Sequence, residues 1–305
     1  MISSVFLGTP GSSVAALEAT LRVSDVRLVV TQPDRPRGRS KTPQPSAVKE
    51  AALGLGLPVA EPSDRLELLA AVAQAAPFDI GVVVAFGMIL SPSVLAIPRA
   101  GFVNVHFSLL PRWRGAAPVE RAILAGDERT GVTLMAVESG LDTGPVISSR
   151  EVPIEPGETS EALLDRLTEL GVALLEEDLP GYASGALIST PQREDGVTYA
   201  RKIETVEAHI PVESQAGTAL RWIRAFNPRP GAFGILDGER FKVWEAKLAP
   251  VSDLEPGELR IVGGRLCLGL GEGALELLEV QPAGGRRMAA MDWARGRHGP
   301  PEYLH

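Results

Sequence analysis

Residues 2–31 read I-S-S-V-F-L-G-T-P-G-S-S-V-A-A-L-E-A-T-L-R-V-S-D-V-R-L-V-V-T, and this opening decides the fold class. Residues 2–7 form a short apolar run of strand length, broken sharply by Gly8-Thr9-Pro10-Gly11. Ser12 or Ser13 is placed to cap a helix running to about Arg22, with Val14, Leu17 and Leu21 at helical spacing. Residues 26–31 form a second buried strand. Strand, helix and strand in that order begin a doubly wound parallel sheet. The first turn lacks the G-x-G-x-x-G spacing. Thr31-Gln32 stands where a dinucleotide-binding chain needs an acid at the end of its second strand, so a nicotinamide cofactor is disfavoured.

Working outward, residues 78–85, F-D-I-G-V-V-V-A, are continuously apolar, as a strand buried on both faces should be. Ligands of open α/β sheets bind beyond the carboxyl ends of strands, which makes the backbone of Ala85, Phe86 and Gly87 a candidate holder for a flat heterocycle. Residues 102–118 read F-V-N-V-H-F-S-L-L-P-R-W-R-G-A-A-P. This stretch starts as a strand, and Asn104 and His106, two residues apart, share one of its faces. An amide and an imidazole side by side can polarise a carbonyl and move a proton. Residues 138–145, E-S-G-L-D-T-G-P, form a glycine-bracketed loop with one candidate carboxylate. Asp142 either orients His106 and adjusts its proton affinity or makes ordinary turn hydrogen bonds.

The chain has 305 residues and a net charge of −8, which argues against indiscriminate nucleic-acid binding. Against that background residues 32–46, Q-P-D-R-P-R-G-R-S-K-T-P-Q-P-S, stand out. Arg35, Arg37, Arg39 and Lys41 lie among prolines and a glycine, so no regular structure is expected. An exposed basic loop is either a solvated turn or an arm for a polyanion, since phosphate contacts dominate nucleic-acid affinity. The single cysteine, Cys267, excludes a disulfide framework and sits in a core-like run. No apolar stretch reaches the length of a membrane span, and the N-terminus lacks a signal-peptide pattern, so a cytoplasmic protein is expected. No metal-ligand cluster stands out.

The C-terminal third changes character. A long amphipathic helix is expected over 160–178, a polar, glycine-rich linker over 181–205, and a short helix over 219–227. Short strands with turn signals at Asp237-Gly238 and Gly263-Gly264 then describe a small β-barrel. The expected division is therefore a domain over 1–180, the linker, and a barrel over 206–305.

These residues together resemble the methionyl-tRNA formyltransferase family over essentially the whole chain. The resemblance is carried by Thr31-Gln32-Pro33-Asp34-Arg35, by residues 82–87, by Asn104-Val105-His106 with residues 108–118, by residues 140–144, and by Arg224-Ala225-Phe226-Asn227-Pro228. The S-L-L-P run is shared by enzymes that use 10-formyltetrahydrofolate. The T-Q-P-D-R, W-R-G-A-A-P and R-A-F-N-P runs are more specific to the tRNA enzyme.

The resemblance implies an α/β fold, a Rossmann-like formyltransferase domain followed by an OB-like β-barrel. It implies formyl transfer from 10-formyltetrahydrofolate to the α-amino group of initiator methionyl-tRNA; that chemistry needs no metal, no membrane partner is expected, and nothing in the sequence demands more than a monomer. Asn104, His106 and Asp142 become the catalytic set. Ala85, Phe86, Gly87, Ser108, Leu109, Leu110, Pro111 and Leu141 become the folate contacts. Arg35, Arg37, Arg39 and Lys41 become the tRNA-contacting loop, with Arg224, Arg286 and Arg287 as contacts in the C-terminal part. Two rivals share parts of this pattern. A folate-dependent formyltransferase acting on a nucleotide or amino sugar needs neither the basic loop nor the barrel. A non-catalytic RNA-binding relative has no use for the Asn/His/Asp set.

Overall fold

The computed structural model describes residues 2–36, 42–251, 253–296 and 302–305. Expectations for Arg37, Arg39 and Lys41 lie outside the described residues. The chain divides into two compact units, Met1–Pro118 with Arg129–Pro153 and Leu164–Ala200, and Val119–Glu128 with Ile154–Leu163 and Arg201–His305.

In chain order the elements are β1 (Ile2–Gly8), α1 (Val14–Val23), β2 (Ser24–Val30), β3 (Arg35–Pro36), β4 (Pro43–Gln44), α2 (Ala47–Gly54), β5 (Val59–Ala60), α3 (Arg65–Gln74), β6 (Ile80–Val84), α4 (Pro92–Leu95), β7 (Phe102–His106) and β8 (Arg114–Gly115). There follow α5 (Pro118–Ala125), β9 (Arg129–Ala136), β10 (Val146–Pro153), α6 (Ser160–Ser184), β11 (Tyr199–Ala200) and α7 (Ala216–Ala225). The rest is β12 (Phe233–Leu236), β13 (Glu239–Ala249), β14 (Glu258–Val262), β15 (Arg265–Gly269), β16 (Ala274–Gln281), β17 (Met288–Ala289), α8 (Ala290–Arg295) and β18 (Glu302–Tyr303).

The first unit is built on a seven-stranded sheet in the order β10-β9-β7-β6-β1-β2-β5. The strands from β7 to β5 are parallel, while β9 runs antiparallel to β7 and β10 antiparallel to β9. Parallel strands must be covered on both faces, which explains the unbroken apolar run of β6. Gly81 of β6 admits the Phe102 ring of the next strand, because a Cβ there would lie 2.0 Å from that ring. Helix α1 buries Ala16, Leu17 and Ala19, and α6 buries Leu174, Leu175 and Leu179, in one core cluster with Phe6, Val82 and Val105.

Two local expectations are corrected. Ser13 precedes α1 but makes no capping bond; its hydroxyl instead donates to the Val84 carbonyl at 2.7 Å. The basic loop has some regular structure, since Arg35–Pro36 pairs antiparallel with Pro43–Gln44. Prolines are tolerated in so short an edge pairing because little ladder bonding is lost. Lys49 braces the loop from α2, with its ammonium 2.8 Å from both Asp34 and Glu61. The hydrogen bond to Asp34, then that to Glu61, holds the Lys49 ammonium above the ordinary lysine range.

In the second unit an antiparallel sheet runs β12-β13-β16-β15-β14-β18. The chain end then returns to the first strand of that order: the His305 N–H donates to the Ile235 carbonyl at 2.9 Å, and the Ile235 N–H to the His305 carbonyl. Those two bonds bring the sheet nearly closed, leaving few unpaired edges. Its interior holds Phe233, Phe241, Val243, Leu268, Leu275 and Leu277, with Ile223 and Phe226 from α7 and the loop after it in the same cluster. Cys267 is buried, as expected.

Candidate active site

The carboxyl ends of β6 and β7 build the site. Beyond β6, the Thr9 hydroxyl donates to the Phe86 carbonyl at 3.0 Å, and Ser13 holds Val84 as described. The first turn, which binds no dinucleotide phosphate pattern, thus fixes the backbone of the neighbouring loop. That loop turns through Ala85 at φ +47° and Gly87 at φ +85°.

On β7, Asn104 lies between Val83 and Met135 of the adjoining strands, and His106 is buried. The chain after β7 is a tightly bonded loop. The Ser108 hydroxyl donates to the Arg112 carbonyl at 2.6 Å, and Thr133 on β9 donates to the Ser108 carbonyl at 2.7 Å. The loop swings Trp113, at φ +62°, under the imidazole. Its carbonyl lies 2.8 Å from His106 Nε2 and can only accept, so the ring carries its proton on Nε2. The opposite ring nitrogen, Nδ1, faces Asp142 Oδ2 at 3.7 Å. Asp142 also accepts from the Gly115 N–H at 2.8 Å, and its own backbone sits at φ +50°.

Asn104, His106 and Asp142 line one cavity of about 440 Å³. Its walls include Ala85, Phe86, Gly87, Met88, Ile89 and Leu90 on one side and Met135, Val137 and Leu141 on the other. Ile89 is 63% exposed and Leu141 56%, unusual for side chains of that size beside an open cavity. Of four non-glycine residues with positive φ among the described residues, Ala85, Trp113 and Asp142 gather here. Such conformations persist where the surroundings over-determine them and cluster at functional sites.

Of the expected folate contacts, Ala85, Phe86, Gly87 and Leu141 line the cavity, whereas Ser108, Leu109, Leu110 and Pro111 do not. Ser108 is fully buried and Leu109 packs against Gly131, so this run shapes the loop below the cavity. Among the expected tRNA contacts, Arg35 is exposed at the base of the basic loop, bonded to Gln32. Arg224 on α7 is half-buried, and burial pushes its guanidinium below the ordinary range, with Arg221 adding to the effect. Arg286 and Arg287 are exposed, and the Arg287 guanidinium stacks 3.5 Å from the centre of the Trp244 ring.

Sequence reasoning missed Met88, Ile89, Met135 and Val137, which read as ordinary strand and turn residues. It also missed Trp113, Gly115 and Gln192 as supports. Gly115 carried a signal, since a glycine inside a fixed run often marks positive φ, here +123°. Gln192 carried none. Its side-chain amide donates to the Asp142 and Gly144 carbonyls at 2.8 Å each.

Comparison with known proteins places the whole chain. The formyl transferase family matches residues 5–179, and the C-terminal domain of formyl transferases matches residues 202–298. A methionyl-tRNA formyltransferase from Methylococcus capsulatus is 46% identical over 296 residues, covering 95% of each chain. Among solved structures, the sugar 3N-formyltransferase WlaRD, studied with dTDP and 5-N-formyl-THF, superimposes with a TM-score of 0.68 at 18% identity over 94% of this chain and 99% of that one. HypX from Aquifex aeolicus, in complex with tetrahydrofolic acid, gives 0.67 at 17% identity over 100% of this chain and 51% of that one. Likeness at that identity establishes the fold alone. Near-complete coverage at 46% identity, with both family domains present in order, establishes more: the chain belongs to the methionyl-tRNA formyltransferase family.

Proposed function

We propose that this chain transfers the formyl group of 10-formyltetrahydrofolate to the α-amino group of methionine on initiator tRNA, in the cytoplasm. The carrying observation is the convergence of Asn104, His106 and Asp142 on one cavity beyond the strand ends. A cavity of about 440 Å³ lies within the usual range for small-ligand sites, about 300–1,000 Å³. Its apolar walls and the open backbone turn at Gly87 suit a flat heterocyclic donor, with Ile89 and Leu141 available to cover it. When bound, the donor supplies an activated formyl carbon.

The residues divide the remaining work. The attacking amine must be neutral, and its attack drives negative charge onto the formyl oxygen. Asn104 donates a hydrogen bond to that oxygen, a contribution of roughly 3–4 kcal/mol for one such donor. In this reading His106, held on Nε2 by the Trp113 carbonyl, begins the step as a neutral ring with its Nδ1 lone pair facing a carboxylate oxygen. A lone pair and a carboxylate repel; a proton taken up between them turns the contact attractive. The His106–Asp142 pair is therefore built to take the proton that the amine sheds. No side-chain nucleophile enters: the amine nitrogen forms the new bond to the formyl carbon, the bond from that carbon to the donor nitrogen breaks, and the donor leaves as tetrahydrofolate with the proton the pair returns to its nitrogen.

The C-terminal unit supports the choice of tRNA as acceptor. Arg240, Lys242 and Arg287 crowd together there: burial, then Arg240 and Arg287, lowers the Lys242 ammonium from its ordinary range. Gathered cations of this kind suit a phosphate backbone. The test is transfer of radiolabelled formyl from the folate donor to methionyl-tRNA, with free methionine as control. Wild type should label only the tRNA, and Asn104→Ala and His106→Ala should each lower kcat by about 10²–10³-fold. Near-full kcat in both folded variants would end the assignment.

A further inference from the structure

Asp142 occupies a loop between β9 and β10 in a backbone conformation that costs energy, so something must hold it there. Its carboxylate has the Gly115 N–H. Its main chain has Gln192. The two amide hydrogens of Gln192 are fully used, one on the Asp142 carbonyl and one on the Gly144 carbonyl, both at 2.8 Å. The amide oxygen is fully used as well, accepting from Arg114 Nε at 3.0 Å and Nη2 at 2.7 Å. A cation bonded to the oxygen polarises the amide and strengthens what its N–H groups donate.

Arg114 and Gly115 are neighbours on β8, which pairs with β11. The same short strand thus grips the Asp142 loop twice, directly through the Gly115 N–H and indirectly through Arg114 and Gln192. Gln192 does not line the donor cavity. It borders a second hollow of about 430 Å³ with Arg114, Thr143 and Tyr199, on the other side of the loop. It therefore acts on the site through the loop and not by touching the donor.

We infer that Gln192, anchored by Arg114, is a positioning residue that sets the reach of Asp142 toward His106. The inference rests on the proposed role of Asp142 in formyl transfer. Gln192→Glu is the discriminating change. It keeps an acceptor for Arg114, and a charged one, while replacing both loop donors by an oxygen that repels the two carbonyls. A double-mutant cycle with Asp142→Asn reads whether the effect runs through Asp142.

Gln192→Glu should melt within about 2 °C of wild type. Its kcat should fall about 10- to 100-fold, as expected for a reacting group displaced by about an ångström, with the donor KM changed less than about twofold. In the Asp142→Asn background the same change should cost less than about a further twofold. Unchanged kcat, or a loss that multiplies in full with Asp142→Asn, overturns the inference and leaves the formyl-transfer reading standing. A wild-type protein that moves no formyl group overturns that reading itself. Should Gln192→Glu melt more than about 5 °C low, Arg114→Met, which releases the amide from its anchor, takes its place in the cycle with the same expected outcomes.

Discussion

Replacing Gly115 by alanine probes the support of Asp142 from the other side. Gly115 sits at φ +123°, where an L side chain is strained by about 1–3 kcal/mol. The added Cβ would also lie 2.6 Å from the Ala200 carbonyl oxygen, which is backbone and cannot swing aside. Ordinary contact begins at 3.4 Å, so the two strands must part by about 0.8 Å. That parting strains the pairing of β8 with β11 and the Ala116 N–H bond to the same carbonyl, now 2.8 Å. A total near 3 kcal/mol follows, equivalent to a fall of roughly 6–12 °C in Tm. The same movement drags the Gly115 N–H from Asp142 Oδ2, now 2.8 Å away, and kcat should drop about 10- to 100-fold.

The control is Gly87→Ala. Its φ is +85°, but a Cβ there meets nothing within 4 Å, so only the conformational part applies and the loss should stay near 1 kcal/mol. Thermal melting and formyl transfer at one temperature well below both transitions separate the two effects. If Gly115→Ala melts within about 1 °C of Gly87→Ala and retains half of the wild-type kcat, the reasoning about this close approach of two strands is wrong.

Two further outcomes are expected. Burial pushes the Glu120 carboxyl above its ordinary value of 4.5, so the folded state holds that proton more tightly than the unfolded one. Its contribution to stability is then present below about pH 4.5 and lost as pH rises through the folded value, so Glu120→Gln should raise Tm at pH 7 by about 2–4 °C and flatten the Tm-against-pH curve above pH 4.5; an unchanged curve would count against it. In the second unit, Lys242→Ala and Arg287→Ala should raise the KM for methionyl-tRNA and leave the donor KM alone. Each should also reduce the slope of log KM against log salt by about one for every phosphate no longer neutralised, whereas a salt slope equal to that of wild type would remove the patch from the tRNA surface.

How much of this was legible in the residues depends on what each one had to satisfy. The parallel sheet was readable because burial on both faces forces long apolar runs such as Val82-Val83-Val84. The barrel was readable because every return of its chain needs a turn, and Asp237-Gly238 and Gly263-Gly264 supply positive φ where the strands reverse. Asn104 and His106 were visible as two polar groups on one strand face. Ser108–Pro111, expected beside the donor, lies outside the cavity lining. Here its hydroxyl and carbonyl are spent on Arg112 and Thr133, shaping the turn that delivers Trp113.

What stayed hidden are the groups that act through a main-chain atom, either their own or their partner's. Trp113 matters through its carbonyl, Gly115 through its N–H, and Gln192 through two carbonyls 50 and 48 residues away. No side-chain pattern encodes a carbonyl's direction; it appears only once the fold has set φ. The strain at Ala85, Trp113 and Asp142 points the same way. Each would relax if its loop were free, and each is kept by a bond from another segment: Thr9 and Ser13 beside Ala85, Thr198 on the Trp113 N–H, Gln192 and Gly115 on Asp142. Residue types alone therefore bring Asn104 and His106 forward and leave Asp142 open, while the precision with which the three are placed resides in a backbone held out of its preferred conformations by those supports.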